Sequence, residues 1–138
     1  MVGDMPQTAY VLGITLTPIP GLTAQGLYNM YDDNYSDWGP SAREYSGSDA
    51  TDADREQVWQ APGYSRMDVH LAYDLPSIAG MNLQAFAHIF NALDEVYVQD
   101  AVDHSQYNSY GDKVHAAHNA EVFLGSPRYF NLGFSVQF

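Results

Sequence analysis

With 138 residues, 46% of them hydrophobic, the chain is long enough for one domain with an ordinary core. Five basic against 17 acidic residues give a net charge of -12, which repels phosphate backbones and argues against nucleic acid as a partner. The lack of cysteine removes disulfide frameworks and thiolate metal sites. No apolar run approaches the roughly 18 residues of a transmembrane helix, so a membrane role would have to use strands.

Met1 to Thr8 has neither the basic start nor the apolar run of a signal peptide, so the chain is expected to be a fragment if the protein is exported. Alternation begins at 8–17, where Tyr10, Leu12, Ile14 and Leu16 face one way and Ala9, Gly13, Thr15 and Thr17 the other. Pro18-Ile19-Pro20-Gly21 reads as a tight turn into a second strand at 22–31, whose polar face is interrupted by Leu27. An acidic stretch at 32–62 follows and is expected to be a long loop.

The third strand, 65–75, sets Met67, Val69, Leu71, Tyr73 and Leu75 against Arg66, Asp68, His70, Ala72 and Asp74. A second tight turn, Pro76-Ser77-Ile78-Ala79-Gly80, leads to a fourth strand at 81–93. There Met81, Leu83, Ala85, Ala87 and Ile89 oppose Asn82, Gln84, Phe86, His88 and Phe90. A second acidic loop is expected at 94–126. The last strand, 128–138, is the cleanest: Phe130, Leu132, Phe134, Val136 and Phe138 alternate with Tyr129, Asn131, Gly133, Ser135 and Gln137.

Fourteen of the 17 acids lie in the two long connectors, while the other two connectors are short and uncharged. Short turns at one end and long polar loops at the other are the pattern of outer-membrane barrels, and compact soluble domains rarely carry two such loops. Strands of this length suit a steeply tilted crossing of a bilayer. Tyr28, Tyr31, Tyr64, Tyr73, Tyr97 and Tyr129 lie near strand ends, where a girdle of amphipathic rings would sit. The fold expected is all-β, an antiparallel up-and-down meander of about five strands forming an incomplete piece of a transmembrane β-barrel.

The ending Gly125-Ser126-Pro127-Arg128-Tyr129-Phe130, running into an alternating strand that closes on Phe138, resembles the final strand of TonB-dependent receptors. Phe90-Asn91-Ala92-Leu93-Asp94-Glu95-Val96-Tyr97 is similar to that family's Asn-x-Phe/Leu-Asp-x-x-Tyr element, and Tyr64-Ser65-Arg66-Met67-Asp68-Val69-His70-Leu71-Ala72-Tyr73 to the strand before it. The likeness is strongest over 57–138 and implies the C-terminal part of a receptor that imports a scarce nutrient, such as a ferric siderophore, across the outer membrane. It further implies outer-membrane lipid, the rest of a barrel of about 22 strands, a plug domain absent from this chain, and the TonB energy-transducing system as partners. Asn131, Gly133, Val136 and Phe138 occupy the positions of the signal read by the outer-membrane insertion machinery.

Candidate chemistry is sparse. Tyr107 and Tyr110, with His104, His115 and His118, are placed in the second loop, where they would help close over an arriving ligand. Those histidines with Asp100, Asp103 and Asp112 include metal-ligand types, but no helix is expected to hold them, so they are read as solvated and no metal or cofactor is assigned. Asp49, Asp52, Asp54 and Glu56 lack the glycine and spacing of a calcium loop. His70, Asp68, Asp74 and His88 share the expected lumen face, where contact with water or plug outweighs acid–base chemistry. No nucleophile or phosphate-cradling motif is present, so an enzyme is not expected. A soluble β-sandwich binding a carbohydrate-like ligand and a truncated porin-type barrel are the alternatives.

Overall fold

The computed structural model describes residues 5–36, 59–78, 80–103, 117 and 120–137. Among them the chain is all-β and antiparallel, with five long strands in the meander order β1-β2-β4-β5-β8. These are β1 (Pro6–Ile19), β2 (Leu22–Tyr35), β4 (Tyr64–Ile78), β5 (Met81–Phe90) and β8 (Tyr129–Gln137). Strands β1 and β8 are the two edges of this path and do not pair with each other.

Three short strands occupy segments expected to be loop: β3 (Gln60–Ala61), β6 (Val98–Asp103) and β7 (Ala120–Leu124). Strand β3 pairs with the end of β2, and β6 pairs with β7 as a separate two-stranded sheet. The fourth long strand stops at Phe90 rather than residue 93, because Asn91 takes a left-handed φ of 49° that ends the extended run.

Two compact units divide the chain. One comprises residues 1–9, 31–64 and 96–125 and contains the three buried hydrophobic residues of the described structure, Ala61, Tyr97 and Ala101. Within it Tyr64 stacks on Tyr97 at 4.3 Å, and Tyr31 tilts against Tyr64 at 5.0 Å. Gly125 lies directly under the Tyr97 ring and donates its N–H to the Tyr97 carbonyl, so a Cβ there would fall within the ring.

The other unit, residues 10–30, 65–95 and 126–138, carries the body of the large sheet. Its first turn is Pro20-Gly21, with Gly21 at φ 81°, a left-handed conformation that glycine adopts without strain. Strand β4 runs on to Ile78, and its register against β5 shifts between Leu75 and Ile78. Pro76 sits in that irregularity, where the N–H it lacks is not missed.

Candidate functional site

The register of β4, β5 and β8 sorts the sheet unit into cross-strand rows. On one face the rows read Val69–Ile89–Phe130, Leu71–Ala87–Leu132, Tyr73–Ala85–Phe134 and Leu75–Leu83–Val136. Every member is apolar or tyrosine. Met67 and Val69 continue this face to Ala24, Gly26 and Tyr28 of β2 and to Leu12, Ile14 and Leu16 of β1, with which they line one shallow apolar groove. None of these residues is charged, and from Met67 to Leu75 the band extends about 27 Å along the strand.

Nothing among the described residues covers this face. Leu12 is 63% exposed, Leu16 60%, Phe130 64%, Leu132 75% and Phe134 78%, and none of the described hydrophobic side chains of this unit is buried.

The opposite face reads His70–His88–Asn131, Ala72–Phe86–Gly133 and Asp74–Gln84–Ser135, with Asn82 paired to Gln137. Its polar groups bind one another. Gln84 Nε2 donates to Asp74 Oδ1 at 2.7 Å, Ser77 Oγ to Asn82 Oδ1 at 2.8 Å and Gln25 Nε2 to Thr15 Oγ1 at 3.1 Å. The apolar intruders have a steric purpose: Phe86 lies over Gly133 and Leu27 over Gly13, filling the space those glycines leave. Leu27 thus belongs to the polar face without breaking it. The His70 and His88 rings meet at Nδ1···Nδ1 2.9 Å.

At the end where β5 stops, Asn91 forms a clasp. Its backbone N–H donates to Asp68 Oδ1 at 3.0 Å, and its side-chain amide donates to the carbonyls of Glu95 at 2.9 Å and Ser126 at 3.1 Å. Asn91 Oδ1 in turn accepts from Glu95 N at 3.0 Å. Asp94, also left-handed at φ 57°, accepts from Arg128 N at 3.1 Å and pairs with its guanidinium at 3.5 Å. Buried Asp68 pairs with Arg66 at 3.2 Å. The sequence marks Asn91 and Asp94 by resemblance alone; the physical signal of the clasp is an Asn and an Asp, residues that tolerate left-handed backbone, three apart after an apolar strand.

Of the expected site residues, Asn131, Gly133 and Val136 lie on β8, the first two on the polar face and the third on the apolar one. Tyr107, Tyr110, His104, His115, His118 and Phe138 lie outside the described residues. Among the described residues no group of three or more His, Cys, Asp or Glu is placed to hold a metal ion, and no helix is long and apolar enough to cross a membrane. No protein family, curated protein or solved structure matches the chain.

Proposed function

We propose that this chain is a wall segment of an outer-membrane β-barrel of the TonB-dependent receptor kind, serving the import of a scarce nutrient such as a ferric siderophore. The observation that carries the reading is the uncharged, uncovered apolar face, backed across the same three strands by a face of hydrogen-bonded polar groups. Lipid on one side and water on the other suit that division without a second layer. The residues that resemble the family support it: Asn91 and Asp94 build the clasp, Arg128 closes it, and Gly125 and Tyr97 pack on each other. Each has a physical role at its position, which a chance match of letters would not require.

Spin labels placed singly along β5 and β8 of the parent protein in phospholipid vesicles test the reading. Labels at Ala87 and Leu132 are expected to collide readily with dissolved oxygen, and labels at His88 and Asn131 with a water-soluble nickel chelate. Equal accessibility on both faces, or an apolar face closed to both reagents, would overturn it. The cargo is tested separately by replacing Tyr107 and Tyr110 in the parent receptor, where unchanged ferric-siderophore affinity removes those rings from the binding site.

A further inference from the structure

The cross-strand pair His70–His88 brings two imidazole nitrogens to 2.9 Å on the polar face. A direct Nδ1···Nδ1 contact needs one protonated nitrogen and one lone pair, so a proton bridges the rings in the metal-free protein. Two metal–imidazole bonds of about 2.0–2.1 Å meeting at a right angle set their nitrogens about 2.9 Å apart, whereas a tetrahedral angle needs about 3.3 Å. The observed 2.9 Å is set by the hydrogen bond between the rings, and it already brings the two nitrogens within the span that one metal ion can bridge. Square-planar or tetragonal nitrogen ligation is the preference of copper(II) and nickel(II), and copper(II) binds such sites more tightly.

We propose that His70 and His88 form a two-histidine chelate for copper(II). The bridging proton moves from Nδ1 to Nε2 of the same ring, freeing both Nδ1 lone pairs for the metal with no net proton released. Water completes the coordination, since the acids on this face are engaged: Asp68 with Asn91 N and Arg66, Asp74 with Gln84. Phe90 packs edge-on against His70 at 5.5 Å, and Phe86 lies tilted against His88 at 5.3 Å, restraining both rings without offering a competing ligand. The pair is held by the β4–β5 register, so the inference does not depend on the membrane reading.

The test uses the full chain with His104, His115 and His118 replaced by Ala, which leaves His70 and His88 as its two histidines. Added copper(II) is expected to give an electron paramagnetic resonance spectrum with hyperfine structure from two imidazole nitrogens that the additional variants His70→Gln and His88→Gln reduce to one. Each of these is expected to weaken binding by at least about tenfold, the lower end of what disturbing even an outer-shell partner costs. Copper affinity unchanged in both variants, or a spectrum without two-nitrogen coupling, overturns the assignment. If a Gln variant loses its far-ultraviolet β signal, the nitrogen count in the triple-alanine background decides alone.

Discussion

Leu132→Arg separates a lipid-facing strand from a solvent-facing one. Leu132 lies in the row Leu71–Ala87–Leu132, and Leu71 is the midpoint of the apolar run from Met67 to Leu75, so in a bilayer it would sit near the midplane. An arginine on the lipid face there costs about 2–4 kcal/mol, or roughly 30- to 700-fold in the folding equilibrium. In water the same change at a side chain already 75% exposed costs no more than about 0.5 kcal/mol. Asn131→Arg, one residue away on the opposite face, is the control and is expected to stay within about 0.5 kcal/mol of the parent. Urea titration of folding into phospholipid vesicles, read by trypsin protection, measures both. A Leu132→Arg penalty no larger than that of Asn131→Arg would refute the assignment of that face to lipid.

Asn91→Ala removes three side-chain hydrogen bonds and, with them, the local bonding by which an asparagine tolerates a left-handed φ, for a loss of about 2–4 kcal/mol in the same titration. Asn91→Gly restores the backbone freedom alone and is expected to recover about 1 kcal/mol of it. Gly133→Ala pushes a methyl into the Phe86 ring and is expected to cost about 1–3 kcal/mol, most of which Phe86→Leu in the same chain relieves; a double-mutant cycle reads the coupling. Asp94→Asn keeps the acceptor for Arg128 N and tolerates the left-handed φ, losing only an exposed ion pair, so its titration midpoint is expected to move by less than the equivalent of about 1 kcal/mol.

The long strands and their two faces were legible because a period of two survives in the letters, most plainly at Phe130, Leu132, Phe134 and Val136. Register was not. Counting back from Ile78↔Met81 would set residue 70 against residue 89, placing a polar side chain opposite an apolar one. The irregularity around Pro76 removes one step, so His70 meets His88 and every row becomes uniform. That correction is a backbone event at a proline, invisible to hydrophobic counting, and it also creates the histidine pair. The short strands β6 and β7 escaped notice because Asp100, Asp103 and Glu121 give them the composition of the loops around them.

Energetics say why the sheet needs something beside it. Eight large side chains on the apolar face of the edge strands, Tyr10, Leu12, Ile14, Leu16, Phe130, Leu132, Phe134 and Val136, are between 45% and 78% exposed. Full burial of such a side chain is worth about 1.5–3 kcal/mol, so leaving these uncovered forgoes on the order of 10 kcal/mol, comparable to the whole stability of a typical domain. The hydrogen bonds of the polar face, at about 1 kcal/mol each, do not replace it. The two edges make a matching demand, because among the described residues β1 and β8 each present a row of backbone groups that no further strand pairs. In lipid an unsatisfied group costs several kcal/mol, so lipid can cover the apolar face only if further strands flank both edges. A barrel wall would meet both conditions at once, while under a second protein layer the edges would be open to water, which satisfies their backbone groups.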